Sequence, residues 1–343
     1  MAQAEDIYDI AVIGGGIAGA GIARDASLRG FRVLLLEKNQ FGSGTSSKSS
    51  KLIHGGLRYL ELAWNAFWEG KPGEVWKNFR FVITSLRESA ILERTYPELV
   101  RPIALTIPIY REQKKNPLLL YAGALFYGFL AILTGNPRLP RIYPTAGSIL
   151  RKIPLLNPQG LSGGVEIWDH WTDDHGLTNR IIESAVRHGA HALEFSPVTA
   201  FHWDPLKKTY QVDVMTEKGV QVFYAKKLVN AAGPWVDHVR DLGRERTVDF
   251  VVPVAGCHIE LPRFLDTSVI LQAPDERLFF VINQEDRARV GTTEKLQYDL
   301  DAVIPTEEEI EYLLAALERY FPSKKFDPSM ILSADAGIRP LAP

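Results

Sequence analysis

Residues Tyr8–Leu60 read YDIAVIGGGIAGAGIARDASLRGFRVLLLEKNQFGSGTSSKSSKLIHGGLRYL. Ile10 to Ile13 is a short apolar run of the kind buried in a parallel sheet. It meets Gly14, Gly16 and Gly19, spaced G-x-G-x-x-G. The first glycine permits a tight turn, the second lets a pyrophosphate approach the backbone, and the third allows close helix–strand packing. Free N–H groups at the following helix start face the phosphates. Ile22, Ala23 and Ala26 suit the inner face of that helix, which should stop near Gly30. Arg32 to Glu37 forms a second strand, and Glu37 stands where a carboxylate accepts from an adenosine ribose. Strand, glycines, helix, strand and acid in this order predict a dinucleotide site.

The glycines do not say which dinucleotide. Phe41 to Ser50 (FGSGTSSKSS) does, because it is small, polar and loop-like. A nicotinamide enzyme usually continues with another strand and helix. A hydroxyl-rich loop suits wrapping a long cofactor.

Thr45 to Glu61 (TSSKSSKLIHGGLRYLE) closely resembles the FAD-dependent glycerol-3-phosphate dehydrogenases of the D-amino-acid-oxidase-like superfamily. Further matching blocks follow in the family's order: Leu99 to Tyr110, Leu228 to Asp237, Gly256 to Arg263, Val290 to Glu294 and Ala336 to Leu341. The resemblance implies an α/β (α+β) fold, with a Rossmann-like FAD-binding domain interleaved with an antiparallel-sheet substrate domain. The expected parts are 1–98 and 161–240 for FAD, 99–160 as a cap segment, 241–335 for substrate, and 336–343 returning to the FAD domain.

The resemblance also implies roles. FAD contacts are expected from Gly14, Gly16, Gly19, Glu37, Thr45, Ser46, Ser47, Lys51, Leu52, His54, Val198, Gly233 and Trp235. His258 matches the family's active-site histidine, the base for a substrate hydroxyl, and should titrate near working pH. Arg58 and Arg339 would clamp phosphate with paired donors, and Tyr59 would orient glycerol hydroxyls. Thr292 and Thr293 fit a polar turn beside the site. The implied partners are glycerol 3-phosphate, a quinone acceptor and a peripheral membrane surface at the inner face of the cell membrane, on the cytoplasmic side. A homodimer is left open. Two other readings stand beside this one: an oxidase of amines or 2-hydroxy acids, and a non-catalytic flavin-binding or membrane-associated fragment.

The chain departs from the family pattern in places. Asp173-Asp174-His175-Gly176 replaces a common Asp-Asp-Ala-Arg run, and Glu294 stands where aspartate is usual. Family members continue past the Ala336–Leu341 block with a Gly-Gly-Lys-Leu-Thr-like segment and a helical domain. A truncated chain is therefore expected.

Composition bounds the rest. The 343 residues can bury a large core. A net charge of −2 gives no sign of a nucleic-acid partner. The single Cys257 excludes an intramolecular disulfide and fits a reducing compartment. Met1 to Tyr8 is short and polar and shows no leader. His170, Asp173, Asp174 and His175 are near enough in sequence to suggest a metal, but flavin chemistry needs none, and a helix start stabilised by Asp173 and Asp174 is expected. Trp64 to Arg94 reads as helix. Leu118 to Leu133 (LLLYAGALFYGFLAIL) is uncharged and just short of a bilayer span. It fits a buried helix, a helix lying on a membrane, or a spanning one.

Overall fold

The structure is a computed structural model and describes residues 7–113, 116–244 and 248–342, without the Arg58 side chain. The first unit is β1 (Ile7–Ile13), α1 (Ile17–Leu28) and β2 (Val33–Leu36). The two strands run parallel, with Ile10 opposite Val33 and Ile13 opposite Leu36. Ala20 and Ala23 of α1 are fully buried against this pair, and Gly30 turns the chain with a φ of +83°.

A 3-10 turn at Thr45–Ser47 precedes β3 (Leu52–Ile53), α2 (Leu57–Trp68) and α3 (Pro72–Thr95). The single helix expected over Trp64 to Arg94 is thus broken. Gly70 adopts a φ of +69°, and Pro72 has no N–H to continue the ladder and starts α3 instead.

The middle of the chain holds β4 (Val100–Tyr110), α4 (Pro117–Leu133), β5 (Arg141–Tyr143), α5 (Ala146–Lys152), β6 (Leu161–Thr172), α6 (Asp174–Arg187) and β7 (His191–Leu193). A meander follows, β8 (Val198–Asp204), β9 (Thr209–Thr216) and β10 (Gly219–Asn230), then α7 (Val236–Leu242). The last part is β11 (Val252–Pro262), β12 (Ser268–Gln272), β13 (Leu278–Gln284), β14 (Arg287–Gly291), β15 (Lys295–Leu296), α8 (Glu307–Tyr320) and β16 (Ser333–Leu341).

These strands make two sheets. One has the order β7-β2-β1-β10-β9-β8, parallel around β1 and antiparallel through the meander. The other runs β15-β11-β14-β13-β12-β4-β6-β3, with β16 on β11 and β5 on β6. Residues 161–172 and 336–341, which the sequence boundaries place with the FAD part, therefore run in the second sheet. Strand alternation reveals a buried face but not which sheet it joins. β4 carries Pro102 and Pro108 in the sheet interior, which is tolerated because β12 pairs with it only at Leu105 and Thr106.

Side-chain alternation along β11 decides where chemistry is placed. Cys257, Ile259 and Leu261 are buried with Val290, Leu313, Leu317 and Phe321 in a core beneath α8. His258 and Glu260 point to the opposite face. A second core gathers Leu86, Tyr127, Leu130, Val165 and Ile167 from α3, α4 and β6.

Candidate active site

Gly14 has a φ of +109°, and its N–H donates to Leu36 O at 2.8 Å. A Cβ on Gly19 would lie 1.9 Å from Gly14 O, so only glycine lets α1 approach this turn. Ala231 N–H bonds Ile13 O at 2.8 Å, which brings the end of β10 and Gly233 beside the glycines. The first intrahelical bond of α1 is Ala20 N–H to Gly16 O. The N–H groups before it are those a phosphate would use. Ser46 Oγ accepts from Ile17 N–H at 2.9 Å.

Glu37 is fixed at the end of β2. One carboxylate oxygen accepts from Gly15 N–H at 2.7 Å and the other from Asn39 N–H at 2.9 Å. Each oxygen keeps a further acceptor site for a ribose hydroxyl. Ser196 N–H bonds Glu37 O at 2.7 Å, so the chain passes over this acid before reaching Val198. The turn, the helix start and the acid together fit an adenine dinucleotide.

The loop from Thr45 is held between the two sheets. Thr45 Oγ1 donates to Ile338 O at 2.7 Å, and Ser47 Oγ donates to Ser43 O at 3.0 Å. Asp174 organises the next turn: it accepts from Ser49 Oγ at 2.6 Å and pairs with Lys51. Lys51 is thereby engaged in the protein, and Leu52 pairs with Trp171 in β3–β6. Asp173 caps α6 by accepting from Gly176 N–H at 3.0 Å, as expected of a helix start. His170 instead bonds Glu93 at 2.8 Å in another direction. His54 is exposed, and Trp235 donates to Asp301 at 3.1 Å beside Gly44, with Lys38 over its ring.

His258 is the centre of the second group. It is 3% exposed, and its Nε2 lies 2.8 Å from Ser50 Oγ. Its Nδ1 is buried without a hydrogen-bond partner among the described residues. In register it stands opposite Gly291 of β14 and Asp335 of β16. A Cβ on Gly291 would sit 2.3 Å from the imidazole, so glycine makes room for the ring. Arg289, almost fully buried, makes a bidentate pair with Asp335 at 2.7 Å and donates to Ser49 O at 3.1 Å. Arg339 crosses over Gly256 and donates to Thr292 Oγ1 at 2.9 Å, and its buried Nη1 forms an ion pair with Glu294 at 3.5 Å. Thr293 accepts from Cys257 N–H at 2.8 Å and donates to Glu309.

Three sequence blocks far apart in the chain thus converge on one imidazole. Tyr59 packs on Phe81, with ring centroids 4.3 Å apart. The Arg58 side chain lies outside the described residues. Sequence reasoning did not single out Ser50, Arg289 or Asp335. Ser50 was one serine among several, and the pairing of Arg289 with Asp335 depends on strand register.

The expectation of a base titrating near working pH is not met. Burial first, then Arg289, pulls the His258 pKa from 6.5 to about 3, against the opposing pull of Asp335. The ring is therefore neutral at pH 7. In the unfolded chain it titrates near 6.5, so above that pH neither state carries the extra proton. Below it the unfolded chain binds a proton that the folded chain refuses, and stability falls as pH drops toward 3. By pH 4 this single group removes roughly 3 kcal/mol. Denaturant titrations of His258→Gln between pH 7 and pH 4 should show a shallower loss than the parent, whereas equal slopes would contradict the shifted histidine.

The chain belongs to the FAD dependent oxidoreductase family, whose model matches residues 9–343. Its relatives include the aerobic glycerol-3-phosphate dehydrogenase of Bacillus subtilis (strain 168), 34% identical over 340 residues, covering 97% of this chain and 58% of that protein. The enzyme of the same name from Staphylococcus haemolyticus is 33% identical over 347 residues, with 97% and 58% covered. Among solved structures, the glycerol-3-phosphate dehydrogenase from Bacillus halodurans complexed with FAD superposes with a TM-score of 0.76 at 31% identity, covering 98% of this chain and 57% of that one. The FAD-bound L-alpha-glycerophosphate oxidase from Mycoplasma pneumoniae shares the fold, with a TM-score of 0.70 at 17% identity over 98% and 84% of the two chains. The chain spans 58% of the length of the curated relatives it matches.

Proposed function

We propose that this chain binds FAD and oxidises sn-glycerol 3-phosphate to dihydroxyacetone phosphate, with quinone as the final acceptor. The observation that carries this reading is the convergence of β11, β14, β16 and the Ser49–Ser50 turn on His258. The names of the relatives support the substrate. FAD would lie along the Gly14–Gly19 turn, Glu37 and the Thr45–Ser47 turn, and Gly233 leaves the backbone open beside it. When bound, FAD supplies the hydride acceptor.

The protein's part is to bind, orient and deprotonate. The neutral imidazole of His258, oriented by the hydrogen bond between Nε2 and Ser50 Oγ, is the group that would accept the substrate hydroxyl proton. A neutral imidazole is the form a base requires. With a pKa near 3 it is a weak base, so the proton leaves as the adjacent C–H bond breaks and the hydroxyl becomes most acidic. Arg339, whose Nη1 is held by Glu294 at 3.5 Å, and Arg58 hold the phosphate, and Tyr59 orients the hydroxyls. A panel of anaerobic reductants tests the substrate class. Glycerol 3-phosphate should bleach the flavin fastest, and faster bleaching by glycine, proline or lactate would overturn the assignment in favour of an amine or 2-hydroxy-acid oxidase.

The membrane part of the proposal rests on α2, α3 and α4. Among the described residues no helix is long and apolar enough to cross a membrane. α4 buries Ala124, Tyr127, Leu130 and Ala131 but exposes Leu118, Leu125, Phe129 and Leu133. Trp64, Phe67, Trp68 and Trp76 are exposed on α2 and α3, and Phe79 stacks on Phe126 to join the surfaces. An apolar face of this extent suits a helix lying in a lipid interface on the cytoplasmic side. Leu125→Lys with Phe129→Lys should cut flotation with phosphatidylglycerol–phosphatidylethanolamine vesicles about tenfold. Unchanged flotation would remove α4 from the interface.

A further inference from the structure

We infer that Asp169 and Tyr127 are a positioning pair that fixes the Gly55–Gly56 turn and, through it, the start of α2 where Tyr59 stands. The inference rests on the proposed substrate role of that helix start. Asp169 lies on β6 and is 4% exposed; Tyr127 lies on α4 and is 1% exposed. A single oxygen, Asp169 Oδ1, accepts from both Tyr127 O–H at 2.5 Å and Gly55 N–H at 3.1 Å.

The turn is shaped to this pair. A Cβ on Gly55 would come 2.4 Å from Tyr127 Oη and 2.5 Å from Leu86 Cδ2, so the backbone itself is wedged between α3 and α4. Gly56 follows with a φ of +78°, and a Cβ there would meet the Tyr59 ring at 2.6 Å. Tyr59 N–H then bonds Gly56 O at 2.8 Å. Asp169 is therefore joined to Tyr59 through successive close contacts.

Apolar packing alone would fill this space at lower cost. The surroundings are Val82, Leu86, Leu130, Ala131 and Ile167, and a buried carboxyl is costly to desolvate. Burial raises the pKa of Asp169, while Tyr127, Gly55, His54 and His170 oppose that rise. What the pair adds over hydrocarbon is direction: an acceptor at a set point for one backbone N–H. Tyr127 also ties the turn to the inner side of the helix whose outer face is apolar.

The test uses the whole chain with Tyr127→Phe, Asp169→Ala and Asp169→Asn. Hydrogen–deuterium exchange is followed in peptides covering residues 53–60 and, as a control, residues 82–92 of α3. Tyr127→Phe and Asp169→Ala should speed exchange at 54–59 about tenfold and leave α3 unchanged. Asp169→Asn keeps an acceptor for Gly55 and should retain most of the protection. With FAD bound, Tyr127→Phe should raise the apparent KM for glycerol 3-phosphate about fivefold and leave the limiting reduction rate within about twofold. Unchanged exchange at 54–59, or loosening shared equally by α3, would overturn the pair as a positioning device. So would a lowered limiting rate at unchanged KM. A parent protein whose flavin ignores glycerol 3-phosphate would overturn the substrate reading instead, and the exchange data would still decide the pair.

Discussion

A His258→Gln protein, supplied with FAD and mixed anaerobically with glycerol 3-phosphate, should bleach about a hundredfold or more slowly than the parent. Its FAD uptake should stay within about twofold. The two outcomes separate because the residues involved are separate. The proposed cradle is formed by Gly14, Gly19 and Glu37 on the first sheet. His258 stands on β11 of the second sheet, opposite Gly291 and Asp335. Glutamine can place an amide near the original Nε2 position and so keep a partner for Ser50 Oγ, but it offers no basic nitrogen. Unchanged reduction kinetics would remove His258 from the mechanism. Loss of FAD uptake with the kinetics would assign it to the cofactor site instead.

The second large effect is at Gly19. Gly19→Val should abolish FAD uptake and cost about 3 kcal/mol or more in stability. The new Cβ would lie 1.9 Å from Gly14 O and 3.1 Å from Gly14 C, both backbone atoms that cannot rotate away. α1 would have to lift from β1, opening the turn that brings the N–H groups to the phosphates. Gly21 is the control, since a Cβ there meets nothing within 4 Å. Gly21→Ala should leave uptake and melting temperature close to the parent. Equal behaviour of the two variants, read by flavin absorbance after gel filtration and by thermal unfolding, would contradict the packing argument.

Local chemistry made the first unit legible. The order of Ile10–Ile13, Gly14, Gly16, Gly19 and Glu37 is set by short-range geometry, and the structure reproduces each part of it. The broken helix at Gly70 to Pro72 was visible in principle. A positive-φ glycine and a proline stand two residues apart, but the aromatic spacing on either side masked them.

The site was only partly legible, for a different reason. The Gly256–Arg263, Val290–Glu294 and Ala336–Leu341 blocks could be named individually. Their convergence is a matter of register: Ala336 faces Cys257, and Gly291 faces His258. No local pattern encodes that. Asp174 does stand in the first turn of α6 as expected, but its hold on Ser49 and Lys51 is equally outside any local pattern. The low pKa of His258 was also out of reach, because burial is its main cause.

The most direct test of the central claim is the visible spectrum of the purified, FAD-supplemented protein before and after anaerobic glycerol 3-phosphate. The expected result is a protein-bound flavin spectrum that bleaches on addition of the substrate. Bound flavin that stays oxidised, or no bound flavin at all, would contradict the assignment.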